Sequence, residues 1–363
     1  MKKIKLSLPG KEIPFFIGAG VEKSITRELS KIGIKNNVFI VVDKNVYKHF
    51  RVKIDSIADE FTSSYIFQFT ANEKNKNFDG VEKIYNSLLR KKFGRDTTLL
   101  AIGGGVIGDT AGFAASTFSR GIKLVHVPTT LLAAVDSSIG GKTGINYGAT
   151  KNIIGSFYQP EAVFIDVNFL TTLATRELVS GLGEVIKYGL LTDGKFFDYV
   201  DRNITQVFNY ELKTLNKIIT ESVKFKISVV ELDEKESGLR QILNLGHTFA
   251  HAYEIEKNYS IRHGEAVLAG MMSAIILSEK LGMLNHGLKE KYFRLLAKID
   301  MIKFSLNNID EKMCYSVMQH DKKNRDGKIK FVLPIDFGQF AIGVEAKKKD
   351  VISSISETIA LFK

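Results

Sequence analysis

Thr97-Thr98-Leu99-Leu100-Ala101-Ile102-Gly103-Gly104-Gly105-Val106-Ile107-Gly108-Asp109 is the stretch that decides the fold class. An apolar run rich enough for a buried strand passes directly into three glycines and then into a second apolar segment. Gly103-x-Gly105-x-x-Gly108 has the spacing of a dinucleotide-binding turn, where absent side chains let backbone N–H groups approach a pyrophosphate at a helix N-terminus. The acid expected roughly twenty residues downstream is missing. The candidate for the ribose hydroxyls is instead Asp43, which closes an earlier strand-like run, Val38-Phe39-Ile40-Val41-Val42.

Similar runs flank this stretch. Leu124-Val125-His126-Val127 stops at Pro128, and Ala162-Val163-Phe164-Ile165 stops at Asp166. Near-continuous apolar strands are covered on both faces, as in a parallel sheet. Between them Val81, Ile84, Tyr85, Leu88 and Leu89 recur at helical spacing. From about Thr175 helical patterns dominate: Leu215 to Val230, Leu243 to Glu256, Glu265 to Leu281 and Leu288 to Ile299. The expectation is an α/β nucleotide-binding domain with a parallel-sheet core over residues 1–172, and a mainly helical metal- and substrate-binding domain over 173–363. Only Ile329 to Pro334 and Gln339 to Ile342 look like strands in the second half.

At 363 residues the chain is long enough for two cores. One cysteine, Cys314, forms no intrachain disulfide, and Lys5, Lys11 and Glu12 interrupt any apolar signal segment, so the cytoplasm is the expected compartment. The apolar run Ala266 to Leu277 is too short for a bilayer and reads as a buried core helix. The net charge of +11 raises nucleic-acid binding. However, Asp321 and Asp326 break the cluster Lys322-Lys323-Asn324-Arg325, and no aromatic ladder accompanies the basic residues. A small, multiply anionic substrate accounts for the cations better, with no nucleic-acid or membrane partner.

The chemistry-bearing residues lie in further clusters. Thr129 and Thr130 follow a strand end, and Gly140-Gly141-Lys142-Thr143 with Lys151-Asn152 suits a phosphate. No glycine stands at the upstream spacing of a P-loop, which argues against nucleoside triphosphate hydrolysis. His247 and His251 stand at i and i+4, His263 follows, and Glu184 sits in Gly183-Glu184-Val185-Ile186-Lys187. Two imidazoles and a carboxylate make a zinc-type donor set. Spacing alone leaves open which two histidines bind metal and which meets substrate.

Together these motifs resemble the 3-dehydroquinate synthase family of sugar-phosphate cyclases, from about Asp43 to Leu333. The likeness rests on Gly103 to Asp109, Arg120-Gly121, Val127 to Thr130, Val135 to Thr143, Lys151 to Gly155, Glu184 to Gly189, Asn244 to His251 and His263 to Val267. It implies metal ligands Glu184, His247 and His263 for zinc or cobalt. It implies NAD contacts from Asp43, Glu73, Lys76, Gly105, Val106, Ile107, Gly108, Asp109, Thr129, Thr130, Lys142, Lys151, Phe169 and Thr172. Around the substrate it implies Arg120, Asp136, Lys142, Lys151, Asn152, Lys187, Lys226, Arg240, Asn244, His251, Lys322 and Lys323. Two positions depart from the pattern: Asn72 stands where glycine is usual, and Gly183 where alanine is common.

The resemblance further implies a homodimeric lyase. Its substrate is 3-deoxy-D-arabino-heptulosonate 7-phosphate, converted to 3-dehydroquinate and phosphate, with NAD reduced and reoxidised in each cycle. Three alternatives compete: a cyclase for another sugar phosphate, a metal-dependent polyol dehydrogenase that releases NADH, and a basic RNA-binding protein.

Overall fold

Thr98–Gly103 is an inner strand of a seven-stranded sheet in this computed structural model, which describes residues 1–148, 150–236, 238–285, 287–300, 306–320 and 328–362. The chain forms two units, Met1–Leu173 with Tyr210–Lys235, and Ala174–Asn209 with Glu236–Lys363. The first contains β1 (Lys2–Leu8), β2 (Lys11–Gly18), α1 (Ile25–Lys31), β3 (Val38–Asp43), α2 (Lys44–Asp59), β4 (Ser64–Phe69) and α3 (Phe78–Arg90). It continues through β5 (Thr98–Gly103), α4 (Gly105–Thr117), β6 (Lys123–Pro128), β7 (Lys142–Tyr147), β8 (Thr150–Phe157) and β9 (Ala162–Asp166).

The sheet order is β1-β2-β9-β6-β5-β3-β4, parallel throughout except for β1 against β2. Strand alternation sorts the core. Val38, Ile40 and Val42 pack with Ile25 and Leu29 of α1 and Ile54 of α2. Phe39 and Val41 pack on the opposite face with Ile84 and Leu88 of α3 and Ala111 and Ala114 of α4. Asp43, Gly103 and Pro128 therefore end on one edge of the sheet, the carboxyl edge where ligands of doubly wound sheets bind. The four strands expected from apolar runs are present. The structure adds β1, β2, β4 and the hairpin β7–β8, of which β1 and β8 are largely exposed and carry no continuous apolar run.

The second unit begins with α5 (Thr175–Leu190), α6 (Lys195–Arg202) and α7 (Ile204–Phe208). Then α8 (Leu212–Leu232) returns to the first unit, packing on β1, β2 and the π-helical turn Ala133–Ser137. A single cut after residue 172 thus does not describe the units, because α8 buries its apolar face on the sheet domain. The second unit resumes with α9 (His247–Glu256), α10 (His263–Lys280) and α11 (Leu288–Leu296), then helix Glu311–Gln319, the hairpin β10 (Phe331–Asp336) and β11 (Gln339–Val344), and helix Lys348–Leu361. α10 is buried from Gly264 to Ser278 and packs on α5, α9, α11 and β10. It is the core helix that its all-round apolar sequence requires. Among the described residues no helix is long and apolar enough to cross a membrane.

His126 sits within β6, where a Cβ built on Gly108 of α4 would lie 3.5 Å from its ring. Burial lowers its pKa from the ordinary 6.5 to about 4. The folded chain keeps the ring neutral while the unfolded chain takes a proton below about pH 6.5, so this stabilisation is whole above 6.5 and disappears as pH falls to about 4. We predict that His126→Gln, compared with wild type by urea unfolding, gains about 3 kcal/mol relative to it between pH 7 and 4. A stability difference that stays constant over that range contradicts the assignment.

Candidate active site

Glu184 lies within α5, while His247 and His263 are the first residues of α9 and α10. Glycines bring these three backbones together. A Cβ on Gly264 would lie 1.8 Å from the Ser180 carbonyl oxygen, and one on Gly183 would lie 2.6 Å from that of Gly264. On the other side of α10, a Cβ on Gly270 would lie 2.2 Å from the Gly246 oxygen. No larger residue permits such approach without displacing a helix. Gly183, one of the two departures from the family pattern, is thus part of the crossing.

The result is a compact donor set. One ligand atom from each of Glu184, His247 and His263 lies within 4.8 Å of the others. His247 Nε2 is 3.6 Å and His263 Nε2 3.7 Å from Glu184 Oε1. Both Glu184 oxygens are buried, and the Lys187 ammonium one turn away forms an ion pair with Oε2. A buried carboxylate beside two imidazoles fits a divalent cation with borderline-soft preferences. Of the three histidines, His247 and His263 are the two that this group contains. His251 stands edge-on to His247, with ring centroids 5.7 Å apart, and is outside the set.

Both imidazoles of the set also have an acceptor at Nδ1. That of His247 lies 3.2 Å from the Leu245 carbonyl oxygen, and that of His263 lies 3.5 Å from Glu254 Oε1. Burial lowers the pKa of His263, but hydrogen bonding to Glu184 and Glu254 outweighs it and lifts the value to about 10. A cation bound here takes the place of that proton. Glu265 serves the helix crossing: Arg176 grips it with bonds of 2.6 and 2.9 Å and ties α5 to the start of α10. Arg240 is buried in the 3-10 segment Leu239–Asn244 leading to α9, and Asn244 donates to Glu236 at 3.2 Å. Lys322 and Lys323 lie outside the described residues.

In the first unit the glycine turn opens α4, whose N-cap, Gly104, has no side chain to occupy the helix N-terminus. A Cβ on Gly103 would meet Ile107 at 2.4 Å and one on Gly104 would meet Thr130 at 2.9 Å, so the turn is moulded to bare backbone. This cradle fits a pyrophosphate. Lys76 forms an ion pair with Asp109 of the same helix end; burial pushes that carboxyl up and the ammonium pulls it back. Thr129 carries a buried hydroxyl without a hydrogen-bond partner. Asp43 caps α2, accepting from the Asn45 N–H at 2.7 Å. Thr172 is exposed, whereas the Phe169 ring packs against Phe50 at 4.9 Å.

Two further groups meet beside that turn. Lys226 of α8 donates to Asp136 Oδ1 at 2.5 Å and to its carbonyl oxygen at 2.6 Å. Asn146 donates to Glu73 Oε2 at 2.8 Å and accepts the Asn152 N–H at 2.9 Å, bracing Asn152 at its left-handed φ of 52°. Lys142 and Lys151 lie on the same hairpin, β7–β8. Asn72, the other departure, caps the turn that carries Glu73 by accepting from Asn75 at 2.9 Å. Arg120 is exposed, with a left-handed φ of 65° beside Ser119 at 50°. Sequence reasoning did not name Asn146, Glu236 or Glu254. Only Glu254 left a signal, since His247, His251 and Glu254 recur at i, i+4 and i+7 on one helix face.

A family model described as 3-dehydroquinate synthase N-terminal matches residues 66–180, and one described as 3-dehydroquinate synthase C-terminal matches 181–324. The chain is 40% identical to the 3-dehydroquinate synthase of Acetivibrio thermocellus over 98% of its own length and 100% of that protein. It is 43% identical to that of Pelagibacter ubique over 91% of each. Among solved structures it resembles 2-deoxy-scyllo-inosose synthase complexed with carbaglucose-6-phosphate, NAD+ and Co2+, at a TM-score of 0.88 and 25% identity, over 98% of this chain and 100% of that one.

The glycine crossing makes a graded prediction. Gly264→Ala should cost roughly 1–3 kcal/mol by overpacking and weaken Co2+ binding by separating α10 from α5. Gly183→Ala, whose contact is looser, should do less of both. Thermal unfolding and Co2+ titration of the two variants check this, and wild-type behaviour of Gly264→Ala would refute it.

Proposed function

The chain belongs to the 3-dehydroquinate synthase family, and from that membership we propose the roles of its residues in the family's reaction. That reaction converts 3-deoxy-D-arabino-heptulosonate 7-phosphate to 3-dehydroquinate and phosphate in the shikimate route to aromatic amino acids. Its steps are alcohol oxidation, phosphate elimination, carbonyl reduction, ring opening and intramolecular aldol closure. What carries the residue assignment is the convergence of Glu184, His247 and His263 in a chain related along its whole length to such synthases.

When bound, NAD supplies a hydride acceptor that is restored within each cycle, and zinc or cobalt supplies a Lewis acid for the substrate hydroxyls. Glu184, His247 and His263 hold the cation. The backbone from Gly105 through Val106, Ile107 and Gly108 to Asp109 receives the pyrophosphate. Asp43 takes ribose hydroxyls, and Glu73, Lys76, Thr129, Thr130, Phe169 and Thr172 complete the NAD contacts. Lys142, Lys151 and Asn152 bind phosphate, with the two lysines also reaching NAD. Arg240 offers the substrate carboxylate a two-pronged donor, assisted by Lys226, Asn244, Lys322 and Lys323. Asp136, tied to Lys226, orients hydroxyls; Lys187 and His251 hold protons beside the metal ligands. These groups act chiefly by orienting substrate and neutralising its charges.

We infer a cytoplasmic enzyme from the single cysteine and the phosphorylated substrate, and a homodimer in which Arg120 serves the partner's phosphate site. Its exposure and the consecutive left-handed residues Ser119 and Arg120 support an outward-reaching role.

With heptulosonate phosphate, metal and substoichiometric NAD, the chain should release phosphate and form the carbocycle over many turnovers, without lasting NADH absorbance. Chelation should stop turnover, and zinc or cobalt should restore it. One NADH accumulated per product points instead to a polyol dehydrogenase, and undiminished activity in metal-stripped protein removes the metal assignment.

A separate test addresses the dimer. Mixing Arg120→Ala chains with Lys142→Ala chains should regenerate activity through heterodimers that contain one intact site. Verified heterodimers without complementation exclude the action of Arg120 across subunits.

A further inference from the structure

We propose that Glu254 is a positioning residue for the metal centre, holding His263 so that its Nε2 lone pair faces the cation beside Glu184. The inference rests on the metal-site reading above. Glu254 lies two turns along α9 from His247, on the same face, and is only 8% exposed. Its Oε1 is 3.5 Å from His263 Nδ1, while His263 Nε2 is 3.7 Å from Glu184 Oε1. The imidazole of α10 is thus spanned by two carboxylates, one from α5 and one from α9.

A neutral imidazole carries one proton, and a ligand nitrogen must be the unprotonated one. An anionic acceptor at Nδ1 holds the proton there and leaves Nε2 free to coordinate. The His247 ring has the same arrangement with a different acceptor, the Leu245 carbonyl oxygen 3.2 Å from Nδ1. The two ligands therefore receive unequal support. His247 leans on a backbone dipole fixed by the local chain, whereas His263 leans on a full negative charge from another helix. That charge makes His263 the more basic ligand and adds a second anion near the cation. Burial strengthens the interaction, and the close Gly246–Gly270 approach holds α9 against α10 so that the carboxylate reaches the ring.

The test uses Co2+ as the probe and the full chain as the protein. Glu254→Ala should weaken Co2+ binding, measured by chelator competition, by roughly 10–100-fold. It should also alter the visible d–d absorption, while NAD affinity stays at the wild-type value. Glu254→Gln keeps the volume and a weaker acceptor, so its Co2+ affinity should fall between wild type and Glu254→Ala; it also serves if the alanine variant does not fold. Wild-type affinity and spectrum in a folded Glu254→Gln or Glu254→Ala overturn the proposal. Glu184→Gln separates the two readings. If wild type and Glu184→Gln bind Co2+ alike, the metal site itself is misassigned and the role of Glu254 falls with it. If Glu184→Gln loses Co2+ and the Glu254 variants do not, only the positioning role fails.

Discussion

Backbone contact between helices is the constraint on which the metal-type centre depends. Glu184, His247 and His263 belong to three helices, and how closely those helices approach decides how tightly the three side chains converge. Gly183 against Gly264 and Gly246 against Gly270 remove the side chains that would hold those helices apart. Each glycine adjoins a donor or packs against one that does. The apolar length of α10 then fixes the crossing, because a helix buried on every side has little freedom to slide. The clamp of Arg176 on Glu265 restrains the same end of α10.

The sheet domain solves a different problem with the same economy of side chains. Its parallel strands end on one edge, and the bare glycine turn after β5 leaves helix N–H groups available there. Around that edge acids and bases are paired rather than isolated: Lys76 with Asp109, and Lys226 with Asp136. Pairing limits the desolvation cost of these buried cations and fixes their direction. A chain of net charge +11 can thus hold some cations in place for an anionic substrate without presenting a uniform basic surface.

Much of this was legible in the linear chain. The runs ending at Asp43, Gly103, Pro128 and Asp166 each became a parallel strand, because strands covered on both faces are apolar throughout. The helical character after Thr175 and the burial of Ala266 to Leu277 were equally plain. β1, β4 and β8 were not, since exposed or edge strands lack such runs. The return of α8 to the first unit was also hidden, because an amphipathic pattern reveals that a face is buried but not against what.

The types of donor are written in the linear chain: a carboxylate in a glycine-flanked helix, histidines at helical spacing, and a glycine turn after a buried strand. These are local properties, set by side-chain chemistry and by periods of two and 3.6 residues. Which donors meet depends on how the helices pack. It joined His263 to His247 and set His251 aside, paired Lys226 with an aspartate ninety residues away, and brought Glu254 to the far edge of the His263 ring. Periodicity assigns a side chain to a face. Its partner depends on how closely two backbones pack, and here glycines from distant parts of the chain set that distance.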